Sequence, residues 1–222
     1  MITPYATEEL LEINDSCNPY FVNGVVVVDD VYKNYEKLHS MLQNMPVSRW
    51  KTSSSSKNFT EYYDCRATLA SPFVEKENTA IIKLIKHLIK EYFDQDNTTL
   101  EKESSILDFG FYKNIKKDVP KFLQHFPHKE TSFNCLIYID KICSGGTALF
   151  DIDDHITNQE HVHVLCDISM YPIELIRAKP NRLVIFPGNR YHGAFIEDHN
   201  LYVDHWRIVQ LMFFNNNKID NV

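Results

Sequence analysis

An α+β fold is predicted, a double-sheet, cupin-like jelly roll carried on N-terminal supporting helices, and three features of the sequence predict it. From Ile106 onward, short strand-like runs follow one another, punctuated by turn-forming Gly, Pro and Asn residues. Such spacing suits a jelly roll. Before that point, two segments repeat apolar residues at helical spacing. The chain, 222 residues with 44% hydrophobic and 13% aromatic content, is long enough to bury a full core as one domain with additions. The expected organisation is a single domain over 1–222, with helical and strand support over 1–105, the strand core over 106–214 and a tail over 215–222.

The elements follow in order. Phe21 to Val28 is a β-rich run, and Asp29-Asp30 is positioned to cap a helix carrying Val31, Tyr35, Leu38, Met41 and Leu42. Lys51 to Asn58 is a serine-rich polar loop rather than a phosphate cradle, because it lacks glycine. A second helix is expected from about Glu75 to Phe93, where Ile81, Ile82, Leu84, Ile85, Leu88, Ile89 and Tyr92 make a broad apolar stripe. Turns are expected at Lys116-Lys117-Asp118-Val119-Pro120, Gly145-Gly146, Lys179-Pro180-Asn181 and Pro187-Gly188-Asn189. No internal repeat is evident.

Composition limits the function classes. The apolar runs are too short to cross a bilayer, and Met1-Ile2-Thr3-Pro4-Tyr5 lacks a basic start before an apolar core. A soluble cytoplasmic protein without a membrane partner is expected. Five cysteines, Cys17, Cys65, Cys135, Cys143 and Cys166, are odd in number and scattered, as reduced thiols are. The net charge of −7 argues against nucleic acid as a partner. The densest basic group, Lys113, Lys116, Lys117 and Lys121, reads as a solvated turn.

His128-Lys129-Glu130, with His192 and Arg207 downstream, carries the chemical signal. On an extended segment, a His and a Glu two residues apart point to the same side, so one short motif supplies two metal ligands. His192, just beyond the apolar run Leu183 to Phe186, offers a third from another strand. Two imidazoles and a carboxylate on one face of a transition metal leave positions open for substrate and O₂, the pattern of non-haem Fe(II) oxygenases. If the last segment is one strand, Arg207 shares a face with Val209, Leu211 and Phe213, a cation in an apolar lining that calls for an anion. Taken singly, each residue has a plainer reading: a surface histidine beside proline, or Arg207 paired with Asp204 or Asp198. His125 is the rival ligand, but in an alternating strand it points away from His128. Asp151, Asp153, Asp154 and His155, and the pair His161 and His163, read as a polar loop. Asp151 to Asp167 is expected to form a substrate-recognition lid.

The blocks Phe126 to Glu130, Asn134 to Asp140 and Gly145 to Phe150 resemble the core of the 2-oxoglutarate- and Fe(II)-dependent dioxygenases of the prolyl 4-hydroxylase type. Asn181 to Pro187, Tyr191-His192-Gly193 and Arg207 to Phe214 are similar to that family's later strands in the same order, and Tyr63 to Leu69 resembles one uncharacterised branch of it. The resemblance implies a double-stranded β-helix, with His128, Glu130 and His192 as iron ligands. It also implies that Arg207 and Tyr138 hold the 2-oxoglutarate cosubstrate. Fe(II) and 2-oxoglutarate are thus the implied cofactors, with O₂ and a small-molecule or peptide substrate as partners. The implied reaction hydroxylates a C–H bond and releases succinate and CO₂. Two features depart from the family pattern: Glu130 stands where Asp is usual, and the interval from His192 to Arg207 is long, with Ile196 to Tyr202 read as an extended hairpin loop that alters the rim. Two alternatives remain, a metal-dependent cupin enzyme that does not use 2-oxoglutarate and a non-catalytic jelly-roll binding protein.

Overall fold

The computed structural model describes residues 8–45, 50–52, 64–68, 80–94, 100–102, 108–113, 122–125, 133–150, 172–202 and 205–216. Two antiparallel sheets dominate these residues. The larger runs in the order β1 (Pro19–Val22), β2 (Val25–Val28), β11 (Arg182–Pro187), β8 (Phe133–Tyr138), β13 (Arg207–Asn216), β6 (Asp108–Lys113), β4 (Asp64–Thr68) and β3 (Trp50–Thr52), with β5 (Leu100–Lys102) also paired to β13. The smaller runs β10 (Glu174–Arg177), β9 (Gly146–Phe150), β12 (Tyr191–Phe195) and β7 (Phe122–His125). From β6 onward the chain passes repeatedly between sheets: β6, β8, β11 and β13 belong to the larger, β7, β9, β10 and β12 to the smaller. The architecture is jelly-roll-like.

Strands β2, β11, β8 and β13 of the larger sheet are covered on both faces, and strand alternation divides their side chains between two cores. Val26, Val28, Cys135, Ile137, Leu183, Ile185, Ile208, Met212 and Phe214 pack against helices α1 (Tyr35–Gln43) and α2 (Ala80–Phe93). Their neighbours Val25, Val27, Leu136, Tyr138, Val184, Phe186 and Val209 face the smaller sheet, meeting Leu149 and Ile176. Every residue of β2 and β8 is consequently buried. Helix α2 contributes Ile81, Ile82, Ile85, Leu88 and Ile89 to the first core, each worth roughly 1.5–3 kcal/mol of transfer free energy.

The structure refines the β-rich run and moves the start of the first helix. The β-rich run Phe21 to Val28 folds as a hairpin, because Asn23 and Gly24 take φ of 49° and 77°. Asn-Gly tolerates the positive φ a two-residue turn requires, where β-branched residues do not. Helix α1 starts at Tyr35 behind Asn34, not behind Asp29-Asp30. Asp30 instead adopts φ 56°, and Asp29 takes the fork of Arg182, Nε to Oδ1 at 2.6 Å and Nη2 to Oδ2 at 3.1 Å. Helix α2 covers Ala80–Phe93; its expected first turn, and the expected turn at Lys116 to Pro120, lie outside the described residues.

Glycine is required where β9 begins. A Cβ on Gly145 would stand 2.0 Å from the Phe195 carbonyl oxygen, and one on Gly146 would stand 1.9 Å from that of Ile176. Both residues also take positive φ, 81° and 159°. Buried Asn181 ties the two halves together. Its N–H donates to the Tyr138 carbonyl at 2.7 Å, its amide brackets the Tyr32 backbone with two bonds of 2.9 Å, and its carbonyl accepts from Val31 N–H at 3.1 Å.

Among the described residues, no helix is long and apolar enough to cross a membrane. Cys17, Cys135 and Cys143 are free thiols.

Candidate functional site

The site builds from alternation on the inner faces of the two sheets. On β12, His192 stands in register with Leu149, whose side chain lies in the core between the sheets, so the imidazole faces the same interior. On β8, Asn134 and Tyr138 are on the face of Leu136. β13 is one unbroken strand, and Arg207 shares its inner face with Val209, which pairs with Tyr138.

His192 is held closely. It is 7% exposed, its ring meets Phe186 edge-on with centroids 4.9 Å apart, and its Nδ1 lies 2.7 Å from the Arg190 carbonyl oxygen. A carbonyl can only accept, so Nδ1 carries the proton and Nε2 presents its lone pair. Nε2 looks towards the Asn134 amide nitrogen at 3.4 Å, and Asn134 Oδ1 is buried without a hydrogen-bond partner among the described residues. An imidazole with its proton committed to a backbone carbonyl is a prepared ligand for a divalent metal. The orphaned amide oxygen beside it is a further polar position that a ligand group can satisfy.

The opposite end of the interior carries a buried cation. Arg207 is 5% exposed, and Tyr138 is fully buried with its hydroxyl 2.7 Å from Thr147 Oγ1. Burial pushes the Tyr138 phenol up to about 12, while the Thr147 hydrogen bond and the positive charge of Arg207 act against that rise. The same guanidinium acts on Cys143, whose thiol burial lifts to about 11, and on Tyr202, also raised by burial. At neutral pH Tyr138 is an uncharged phenol, and either hydroxyl of the Tyr138–Thr147 pair can donate. From Asn134 to Tyr138 the strand rises roughly 13 Å, four residues at about 3.3 Å each.

The described part of the long interval between His192 and Arg207 is structured. Ile196 is buried, a 3-10 turn spans His199–Tyr202, and the Tyr202 hydroxyl donates to the Ile142 carbonyl at 3.0 Å while accepting from Ser144 N–H at 3.2 Å. Beyond it, His205 Nε2 meets Asp140 Oδ1 at 2.8 Å, and His39 of α1 stands 3.8 Å from the same oxygen. Burial raises the Asp140 carboxyl above its ordinary range and lowers His39.

Of the residues anticipated from sequence, the structure assembles His192, Tyr138 and Arg207 around one interior. His128 and Glu130 lie outside the described residues, as does the expected lid from Asp151 to Asp167. The backbone of the rival, His125, stands opposite His192 in the register. Asn134 and Thr147 were not singled out from sequence. Their signal was a polar residue within each apolar strand, Phe133-Asn134-Cys135-Leu136 and Gly146-Thr147-Ala148-Leu149. No group of three metal-binding side chains occurs among the described residues.

No family model and no curated protein matches the sequence. Solved structures do match. An oxidoreductase of the 2OG-Fe(II) oxygenase family from Burkholderia pseudomallei has a TM-score of 0.50 at 9% identity, covering 86% of this chain and 84% of that one. A prolyl-4-hydroxylase from Pseudomonas putida gives 0.44 at 10% identity over 82% and 85%. EvdO2 from Micromonospora carbonacea var. aurantiaca, complexed with 2-oxoglutarate, gives 0.46 at 13% identity over 86% of each chain. At such identities the likeness is one of fold, and the Burkholderia structure carries it.

Proposed function

We propose that this protein is an Fe(II)- and 2-oxoglutarate-dependent dioxygenase with a double-stranded β-helix core. It hydroxylates a C–H bond of a peptide, amino acid or other small substrate with release of succinate and CO₂. The observation that carries the reading is His192 with Nδ1 bonded to a backbone carbonyl, on the same interior as Tyr138 and buried Arg207. The alternation of β6 to β13 between sheets supports the double-stranded β-helix. A single domain over 1–222 and a cytoplasmic location complete the proposal.

His192, His128 and Glu130 are the proposed iron ligands, a donor set of two imidazoles and one carboxylate that suits Fe(II). Fe(II) and 2-oxoglutarate, when bound, supply the O₂ chemistry. The chain's own residues orient and shield. The Arg190 carbonyl fixes the His192 tautomer and aims Nε2 inward. Arg207 offers its planar fork to the remote carboxylate of 2-oxoglutarate, and Tyr138 adds a hydroxyl once Thr147 donates to the phenol oxygen. Phe186, Val184, Leu136 and Leu149 exclude water from the space between.

The test is succinate formation by purified protein supplied with Fe(II), 2-oxoglutarate and O₂. Turnover of 2-oxoglutarate that disappears in His192→Ala supports the reading; protein that binds iron yet forms no succinate counts against it.

A further inference from the structure

Glu174 opens β10 and is not one of the proposed ligands or cosubstrate residues. Its strand neighbour two positions on, Ile176, packs in the core between the sheets, whereas Leu175 packs on the outer side with Ala148, Phe150 and Tyr191. Alternation therefore turns Glu174 to the interior. The register sets it in one row with Leu149 and His192. Two strand spacings separate Glu174 from His192, roughly 9–10 Å across the sheet.

Its carboxylate is half used. Oε1 accepts from the Asn23 side-chain amide at 3.2 Å, which fixes the group in place. Oε2 is buried and has no hydrogen-bond partner among the described residues. The same Asn23 accepts from Arg190 Nη1 through its carbonyl at 2.8 Å, and the Arg190 carbonyl accepts from His192 Nδ1. One hairpin turn thus positions both the carboxylate and the imidazole. A buried acceptor without a donor is costly, and for a carboxylate the fitting partner is a charged N–H donor.

We propose that Glu174 is a specificity-determining residue that binds the cationic head of the substrate, an ammonium or guanidinium group carried by an amino acid or a basic peptide side chain. The chemistry after binding rests on the oxygenase reading, whereas the binding itself does not. The cation seats on Oε2, and the row from Glu174 to His192 sets how far from that head the reacting C–H bond lies.

The test is ligand-observed saturation-transfer NMR with L-lysine and L-arginine, free and as the central residue of N-acetylated, C-amidated tripeptides, against norleucine counterparts. The wild type is expected to bind at least one cationic probe ten-fold or more tightly than norleucine; the preferred arm distinguishes free amino acid from peptide. Glu174→Gln is expected to abolish that preference, and Glu174→Asp, which keeps the charge, to retain it. Equal binding of norleucine, binding of none of the cations, unchanged preference in Glu174→Gln, or equal loss in both variants overturns the inference. Wild-type protein is titrated in parallel with Fe(II) and 2-oxoglutarate under anaerobic conditions. A charge-transfer band without cation preference overturns the role of Glu174 and leaves the oxygenase reading; Glu174-dependent cation binding without the band supports Glu174 and removes the oxygenase.

Discussion

His192 Nδ1 and the Arg190 carbonyl oxygen are 2.7 Å apart, and this contact decides which imidazole nitrogen faces the interior. A histidine whose tautomer is fixed by a backbone acceptor meets a metal with its lone pair already aligned. His192→Ala should lower Fe(II) affinity by more than about 100-fold, beyond the 10–100-fold typical of losing only an outer partner. Anaerobic calorimetry measures it, with circular dichroism establishing that the fold persists.

Tyr138 and Thr147 share a short hydroxyl contact at the Arg207 end. Tyr138→Phe should weaken 2-oxoglutarate by up to about ten-fold, the equivalent of one hydrogen bond of ~1.4 kcal/mol, with Fe(II) affinity unchanged. Because burial holds the phenol near 12, Tyr138 contributes no break to the pH profile of cosubstrate affinity below pH 9 or so. A profile from neutral pH upward in wild type and variant checks both statements.

Asn181 satisfies both backbone groups of Tyr32 from a left-handed conformation, φ 61°. Asn181→Ala removes both partners and forces a Cβ-bearing residue without a polar side chain to keep that φ. A loss of about 2–4 kcal/mol is expected, since each buried unsatisfied group costs roughly 1–3 kcal/mol. Urea denaturation of the metal-free protein provides the measurement.

The cluster of Asp140, His205 and His39 gives a signed pH dependence. Burial depresses His39 below its ordinary value of 6.5, so the unfolded chain binds more protons there, and stability rises with pH through the window ending near 6.5. Burial raises Asp140 above 3.8, outweighing its bond to His205, so the folded state keeps that proton longer and stability falls as pH climbs from 3.8 through the folded value. His39→Gln should flatten the upper limb and Asp140→Asn the lower. Thermal melts from pH 4 to 7 separate the two.

Much of this arrangement was legible in the sequence where one physical signal dominated. The stripe from Ile81 to Ile89 marked α2, and β13 emerged as one strand with Arg207 on the face of Val209. Elsewhere two effects overlapped. In Val25–Val28 and Phe133–Tyr138 both faces are buried, so hydrophobicity has no period and cannot reveal which side meets the helices. The Asn23-Gly24 turn was hidden within an apolar run, and Asp29-Asp30 looked like a cap because a carboxylate before an apolar run signals one, whereas Arg182, distant in sequence, claims Asp29. Asn134 and Asp140 gain their significance only from partners distant in sequence, His192 and His205, which local spacing does not encode.

The proposed metal-bound 2-oxoglutarate site reaches from His192 to Arg207. Anaerobic titration of the protein with Fe(II) and then 2-oxoglutarate, followed by visible absorption, tests it most directly. A metal-to-cosubstrate charge-transfer band is expected that saturates with 2-oxoglutarate, vanishes in His192→Ala and needs far higher 2-oxoglutarate in Arg207→Ala. Bound iron with no band, or a band indifferent to both substitutions, contradicts it.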